Sequence, residues 1–311
     1  MLRIEHLSKD YGKFTALRDL SLEIPEGALH GFVGPNGAGK TTTMRILATL
    51  MDPTSGTAYV DNTDIVRDGT KARKLVGYMP DFFGVYDNLK CWEYLDFYAR
   101  CYRIGQNERK RMSRQLLELV QLQDKENEYV EALSRGMKQR LCLARSLIHD
   151  PKLLILDEPA SGMDPRARAE MKGILRTLRE MKKTVLISSH ILPELSEMCD
   201  SLTILDHGQL VFSGSVEELS DRMNGNAPLD IRLTEGSGEE QVETAVRCLK
   251  EIPAVTEILR EEPYLLRVRL AEGADCPAVL RQLVTRDVPV SDFHRAPMNL
   301  EKVFMEVTQD A

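Results

Sequence analysis

A chain of 311 residues is long enough for two domains, and its composition of 42% hydrophobic and 29% charged residues is that of an ordinary globular protein. The 41 basic and 48 acidic residues leave a net charge of -7 without any block of Lys and Arg, so we expect no nucleic acid among the partners. Six scattered cysteines without a C-x-x-C pair argue against a zinc site and a disulfide framework, and they predict reduced thiols in a cytosolic protein.

Two segments near the N-terminus alternate apolar and polar residues, which is typical of strands. They run from Leu2 to Leu7 and from Leu20 to Ile24, with the Tyr11-Gly12 turn between them. We predict that they form a small antiparallel sheet beside the glycine-rich loop that follows.

The segment from Gly34 to Thr41 has the pattern G-x-x-x-x-G-K-[ST] of a phosphate-binding loop. The apolar run from Ala28 to Val33 predicts a buried strand before it, and apolar residues at helical spacing from Thr42 to Leu50 predict a helix after it. In this context the backbone N–H groups cradle phosphates, Lys40 reaches the terminal phosphates and Thr41 contacts Mg²⁺. The predicted nucleotide-binding residues here are Gly34, Pro35, Asn36, Gly37, Ala38, Gly39, Lys40, Thr41 and Thr42.

Tyr11 is a candidate contact for the base of a nucleotide held at Lys40. Its ring can lie against adenine and bind the base without reading the groups at its edges. A tyrosine that only packs under the turn is the alternative, and the sequence leaves both open.

Farther along, strands are predicted from Thr57 to Val60 and from Leu75 to Met79, the second ending at Pro80-Asp81. Eight aromatic residues then lie between Phe82 and Tyr102, and helical patterns follow over Leu89–Cys101 and Glu108–Leu119. We predict a helical insertion over about residues 85–150. Its aromatic stretch is either the core of the insertion or a partly exposed groove for a partner helix.

The next part of the chain alternates between helices and strands, which predicts a largely parallel α/β domain. Ser134 is a good N-cap for a helix from Lys138 to His149, and two buried strands end at Asp157-Glu158 and at Ser188-Ser189-His190. The remaining predicted segments are a helix over Arg166–Met181, a helix over Pro193–Cys199, and strands over Leu202–Leu205 and Gln209–Phe212.

A composition change at Asn224 to Pro228 predicts a linker, which divides the chain into domains of residues 1–223 and 229–311. Beyond it the predicted order is strand, helix, strand, strand, helix, strand and a last helix from Asn299, which matches the split β-α-β fold of ferredoxin-like modules. This small α+β domain offers no catalytic constellation. A regulatory or dimer-forming module and a stabilising appendage are both open.

Four motifs together give the chain its family resemblance. The loop from Gly34 to Thr41, the segment from Leu133 to Met137, Asp157-Glu158 and His190 resemble the nucleotide-binding subunit of an ABC transporter, over about residues 1–220. The resemblance implies an α/β P-loop NTPase core with an antiparallel β subdomain and a helical insertion. It also implies ATP and Mg²⁺ as cofactors and ATP hydrolysis as the activity.

The resemblance assigns roles residue by residue. Asp157 corresponds to the carboxylate that holds Mg²⁺ opposite Thr41, and Glu158 to the catalytic base that polarises the attacking water. His190 corresponds to the histidine that contacts the γ-phosphate, and Asp164 to the acidic residue of the loop through which paired subunits communicate.

The signature motif and one further position complete the comparison. Ser134 and Gly136 resemble the signature loop, which binds the γ-phosphate held by the other subunit, whereas Arg135 and Met137 depart from the usual signature. Asp81 stands where the family usually has a glutamine that senses nucleotide. Its carboxylate is a candidate metal contact, made directly or through water.

The motif at the chain's end, Asn299 to Phe304, resembles that of exporters for drugs, lipids, polysaccharides or antibiotics. The resemblance implies a second nucleotide-binding subunit and a separate transmembrane permease. No apolar run in the sequence approaches the roughly 18 residues that span a bilayer, so we expect the permease to hold the chain at the cytoplasmic face of the membrane. A soluble ABC ATPase that acts on ribosomes or DNA is the alternative.

Overall fold

The computed structural model describes residues 1–82, 84, 86–219, 228–271 and 273–296. They form two compact units, of which the first runs from Met1 to Val216 and the second begins at Glu217. The predicted motif from Asn299 to Phe304, the helix from Asn299 and most of the predicted linker lie outside the described residues. The domain limits at residues 223 and 229 stay predictions.

A six-stranded sheet forms the centre of the first unit, in the order β10-β9-β3-β8-β7-β6. All its pairs are parallel except β9 with β10. Every residue of β3, β7 and β8 is buried, which is why these strands are the continuous apolar runs of the sequence. The strands are β3 (Leu29–Val33), β6 (Val76–Met79), β7 (Leu153–Leu156), β8 (Thr184–Ser189), β9 (Ser201–Asp206) and β10 (Gln209–Ser215).

Because β3, β8 and β7 are parallel neighbours, their carboxyl ends meet at one edge of the sheet. The segments that follow Val33, Leu156 and Ser189 are therefore brought together there. Along the chain, α1 (Lys40–Leu47) and α2 (Gly69–Leu75) lie between β3 and β6, α6 (Pro165–Glu180) between β7 and β8, and α7 (Leu192–Ser196) between β8 and β9.

The predicted N-terminal sheet is present, and its strands are longer than the apolar alternation indicates. The sheet has the order β2-β1-β4-β5 and shares one core with the central sheet. Its strands are β1 (Leu2–Tyr11), β2 (Phe14–Ile24), β4 (Ser55–Val60) and β5 (Thr63–Asp64). The additional residues nearest the hairpin turn, Asp10, Tyr11 and Phe14, are exposed, so they carry little hydrophobic signal.

The helical insertion consists of α3 (Cys91–Cys101), α4 (Gln106–Leu119) and α5 (Arg135–Ser146). Its aromatic stretch divides between the two predicted alternatives. Tyr94 is fully buried in the core of the insertion, whereas Phe82 is 91% exposed. Helix α5 begins three residues before the predicted Lys138, because the Ser134 hydroxyl accepts a hydrogen bond from the Met137 N–H and caps the helix there.

The second unit contains a four-stranded antiparallel sheet of order β12-β13-β11-β14, the order expected for a ferredoxin-like module. It has its own hydrophobic core, in which Ile231, Val268, Leu249 and Leu283 are buried. The predicted fold class is therefore confirmed. The elements are β11 (Leu229–Leu233), α8 (Glu239–Lys250), β12 (Val255–Glu262), β13 (Leu265–Leu270), α9 (Cys276–Thr285) and β14 (Val290–Arg295).

Candidate active site

The glycine-rich loop between β3 and α1 lies in close contact with neighbouring strands. A Cβ on Gly34 would stand 2.5 Å from the Leu205 carbonyl oxygen, and one on Gly39 would stand 2.7 Å from the Ala16 carbonyl oxygen. Gly39 also has a φ of +101°, which side chains rarely adopt. Only glycine fits these two positions, because the loop packs directly against the backbone at Leu205 and Ala16.

Lys40 is folded into this loop. Its Nζ donates hydrogen bonds to the carbonyl oxygens of Gly34 at 2.6 Å and Pro35 at 3.1 Å. Burial lowers the pKa of the ammonium, and the nearby Glu158 and Asp157 carboxylates oppose that shift. A buried cation with oxygen partners is therefore placed where the predicted phosphates would lie.

Asp157 directly follows β7, and only one of its two carboxylate oxygens accepts hydrogen bonds. Its Oδ1 accepts hydrogen bonds from Ser188 Oγ at 2.8 Å and Thr41 Oγ1 at 3.3 Å, while its buried Oδ2 has no hydrogen-bond partner. Burial raises the pKa of the carboxyl, and the bonds from Ser188 and Thr41 lower it. The Thr41 hydroxyl and the free carboxylate oxygen are hard oxygen ligands, which suit Mg²⁺.

Among the described residues, no group of three His, Cys, Asp or Glu side chains is arranged to hold a metal ion. A cation at Thr41 and Asp157 would therefore take its other ligands from phosphate oxygens and water, as Mg²⁺ usually does. Asp81 is exposed just after β6 and near enough to Asp157 to raise the pKa of that carboxyl. Its predicted metal contact stays a prediction.

Glu158 and His190 are brought together from the ends of β7 and β8. His190 Nδ1 lies 2.9 Å from Glu158 Oε2. Burial raises the pKa of Glu158, and the bond and charge of His190 lower it. The Glu158 backbone has a φ of +49°, uncommon for a residue other than glycine, and its N–H donates to Ser188 Oγ at 2.9 Å.

Ser188 is a site residue that the sequence did not single out. One hydroxyl contacts both Asp157 and the Glu158 backbone, and it is fully buried. The only sequence signal is a serine near the end of an apolar strand that precedes His190. That signal has no value until β7 and β8 are known to be neighbours.

Ser134, Gly136 and Asp164 lie together at the N-termini of α5 and α6. A Cβ on Gly136 would stand 2.8 Å from Ala167 Cβ, and Asp164 Oδ1 accepts a hydrogen bond of 2.9 Å from the Ala167 N–H. Within the described part of the chain, no hydrogen bond joins these three residues to the Gly34–Thr41 loop.

Tyr11 lies at the end of β1 and is 45% exposed. Its hydroxyl bonds to Met51 Sδ at 2.9 Å, and Lys9 Nζ lies 5.5 Å from the ring centroid. The hydroxyl is anchored while part of the ring remains open to a ligand, so the predicted contact with adenine stays a prediction.

Comparisons with known proteins agree with this geometry. The family model described as ABC transporter matches residues 17–161. Over 309 residues the chain is 30% identical to the linearmycin resistance ATP-binding protein LnrL of Bacillus subtilis. The match covers 99% of this chain and 98% of that relative. Over 310 residues it is 34% identical to the Nod factor export ATP-binding protein I of Ralstonia nicotianae. That match covers 99% of this chain and 94% of the relative.

A solved structure shares the fold over most of the chain. The dimeric post-hydrolysis state of the ATP-binding cassette MJ0796, bound to ADP and Pi, matches with a TM-score of 0.63 and 26% sequence identity. The match covers 70% of this chain and 99% of that chain. The predicted P-loop core is therefore confirmed.

Proposed function

The chain belongs to the ABC transporter family of ATP-binding proteins, and from that membership we propose that it forms a dimer around two MgATP molecules and powers export through a separate permease. The observation that carries the proposal is the meeting of Lys40, Thr41, Asp157 and the Glu158–His190 pair at one edge of the sheet. Within the proposal, ATP is the substrate and the Gly34–Thr41 loop holds its phosphates.

The buried oxygen of Asp157 that has no partner supports the metal part of the proposal. With Thr41 Oγ1 it offers two oxygen ligands beside the loop, and an orphaned buried carboxylate oxygen is costly without a cation. Mg²⁺ held there would neutralise charge on the β- and γ-phosphates as the γ-phosphoryl group is transferred to water.

Glu158 is the proposed general base. Its pKa is raised by burial, which brings the proton affinity of the carboxylate nearer to the working pH and makes it a better acceptor for the proton of the attacking water. The hydrogen bond between His190 Nδ1 and Oε2 of this carboxylate orients the Glu158 side chain. General base catalysis of this kind contributes about 10²- to 10⁴-fold in rate.

The position of Ser134 and Gly136 supports a site shared between two chains. Both lie at the N-terminus of α5, where backbone N–H groups and the helix dipole favour an anion, yet they do not bond to the loop of their own chain. We infer that they contact the γ-phosphate held by a second subunit. ATP then favours the closed dimer because these contacts exist only there.

The exposed aromatic residues of the first unit support docking to a permease. Four of these exposed rings lie between residues 82 and 102, namely Phe82, Tyr86, Phe97 and Tyr102. An apolar surface of this kind is typical of a protein interface. No helix among the described residues is long and apolar enough to cross a bilayer. In the proposal a permease holds the chain at the cytoplasmic face of the membrane.

The variant Glu158→Gln tests the composite site. It should bind ATP, lose hydrolysis and form a dimer in saturating MgATP, as measured by light scattering. Glu180→Gln is the matched control, because it makes the same change at an exposed glutamate at the end of α6 and should remain active and monomeric after turnover. A Glu158→Gln chain that stays monomeric with bound ATP would contradict the shared site.

The partner is tested by co-purification. We expect the full chain to be recovered with a polytopic membrane protein, and dissociation of that complex should leave the chain in the soluble fraction. Co-sedimentation with ribosomes or with nucleoids, without a membrane partner, would favour the alternative soluble ABC ATPase.

A further inference from the structure

The loop from Ser161 to Met163 connects Glu158 to α6 and is directly joined to the candidate base. The Ser161 N–H donates to the Glu158 carbonyl oxygen at 3.0 Å. A cavity of about 160 Å³ lies against Ser161 and Gly162, so the loop lacks packing on that side. The position of the loop therefore depends on the side chains that hold its other side, and the loop positions Glu158 together with Ser188 and His190.

Arg135 covers this loop with a flat guanidinium group. If Gly162 carried a Cβ, that atom would stand 2.5, 2.6 and 2.7 Å from Nη1, Cζ and Nη2 of Arg135. Three nearly equal distances mean that the plane of the guanidinium faces Gly162. The glycine has a φ of +66°, which disfavours a side chain there, and any side chain would also have to move the guanidinium of Arg135.

Two further side chains hold the same loop. Gln139 Nε2, from α5, donates to the Ser161 carbonyl oxygen at 3.0 Å, and Arg168 Nη2 donates to the Met163 carbonyl oxygen at 3.4 Å. Arg168 also forms an ion pair with Glu194, in the helix that follows His190. Arg135 is exposed and forms no ion pair with a carboxylate of the described residues, so no such partner draws its guanidinium away from Gly162.

We propose that Arg135 is a positioning residue for ATP hydrolysis, which holds the Ser161–Met163 loop from within the same chain and so fixes Glu158. The inference rests on the proposed function. Arg135 follows Ser134, which in the proposed dimer contacts the ATP held by the other chain, while Glu158 acts on the ATP of its own chain. The contact between Arg135 and Gly162 therefore links the two ATP sites of a dimer through one polypeptide.

The test is a double-mutant cycle on ATPase kinetics of the full chain. We expect Arg135→Gln to lower kcat by about 10- to 100-fold with KM changed less than about twofold, because the base is misplaced while the phosphate contacts remain. Arg135→Lys should not restore kcat, since an ammonium group has no plane to cover the glycine. Gly162→Ala should lower kcat similarly, and the double variant should be no slower than either single variant.

Arg111→Gln is the control, because it removes the same charge from an exposed position on α4. Additive effects of Arg135→Gln and Gly162→Ala would overturn the proposal. It would also be overturned by a raised KM at unchanged kcat, which would mean that Arg135 contacts a phosphate instead.

Failure of the proposed function has a different signature. In that case Glu158→Gln remains monomeric in MgATP. The kcat cycle then still decides the positioning role, because Arg135, Gly162 and Glu158 belong to one chain.

Discussion

The Ser188 hydroxyl lies 2.8 Å from Oδ1 of Asp157 and ties the end of β8 to the end of β7. The same oxygen accepts the Glu158 N–H at 2.9 Å. One small side chain therefore holds the candidate metal ligand and the backbone of the candidate base in fixed positions relative to each other.

Ser188→Ala should weaken both functions of this edge. It leaves the Glu158 N–H without its acceptor, which costs about 1–3 kcal/mol of folding free energy, and it frees Asp157 to turn. We expect ATPase activity to fall by about 10- to 100-fold and the Mg²⁺ concentration for half-maximal activity to rise. Titration of activity with Mg²⁺ and urea unfolding measure the two effects.

Ser146→Ala is the control for that experiment. Ser146 is also buried, but among the described residues its hydroxyl bonds only to the Leu143 carbonyl oxygen of its own helix. Its replacement should leave the Mg²⁺ titration unchanged. Equal Mg²⁺ responses of the two variants would mean that Ser188 does not position Asp157.

His190→Ala should move the acid limb of the pH profile to higher pH. Burial raises the pKa of Glu158, and the hydrogen bond and charge of His190 lower it. A protonated Glu158 cannot act as a base, so activity falls as the pH drops through its pKa. Without His190 that pKa rises, and kcat/KM measured against pH at saturating Mg²⁺ should decline earlier on acidification.

His294→Ala, at an exposed histidine in the second unit, should leave the profile in place. An acid limb that does not move in His190→Ala would show that Glu158 does not determine it.

Tyr11→Ala should weaken ATP binding by about 10-fold if the ring stacks on adenine, because base–aromatic stacking contributes about 1–3 kcal/mol. Tyr11→Phe should bind ATP like the unaltered chain, since the hydroxyl bonds to Met51 and not to the open part of the site. Inorganic triphosphate should bind Tyr11→Ala normally, because it has no base. Calorimetric titration separates these cases, and an equal loss of triphosphate affinity would instead indicate a disturbed loop.

His30 should make the first unit sensitive to acid. Its ring, buried in β3, bonds to Ser201 Oγ at 2.7 Å and Thr203 Oγ1 at 2.8 Å, and burial lowers its pKa from 6.5 to about 4. The unfolded chain takes up a proton as the pH falls below 6.5, whereas the folded chain does so only near pH 4. The stability contributed by the neutral ring is therefore complete above pH 6.5 and is lost as the pH falls toward 4.

Denaturant unfolding at several pH values measures this effect. Between those two pKa values the free energy of unfolding should fall with a slope that approaches about 1.4 kcal/mol per pH unit from this group. His30→Gln should lack this contribution, so its free energy of unfolding should fall less steeply with decreasing pH than that of the unaltered chain. His6→Gln, at a side chain that is 79% exposed, should keep it.

The parts of the site that could be predicted from sequence are those that a short segment specifies. The Gly34–Thr41 pattern carries its own chemistry, and the cap at Ser134 is set within three residues. The strand ends that bear Asp157 and His190 follow from apolar runs. Their proximity requires the strand order β3-β8-β7, which comes from packing across the whole sheet.

Other features had no local signal. Helix α2 (Gly69–Leu75) was missed because Ala72 is its only buried residue, so it shows no apolar periodicity. The contact between Arg135 and Gly162 joins residues that are distant in sequence and appears only when α5 packs beside the loop before α6. Such relationships belong to tertiary structure, and no pattern along the chain reports them.

Lys40 bonds to the carbonyl oxygens of Gly34 and Pro35, and this arrangement sets a threshold for ligands. Two of the three N–H donors of the ammonium group are taken by these carbonyl oxygens, so an anion can use all three only by replacing both backbone acceptors, which charge-assisted bonds to several oxygens compensate. Chloride or a single carboxylate gains too little from the exchange. A loop that satisfies its own charge thus discriminates against the abundant small anions of a cell without any steric barrier.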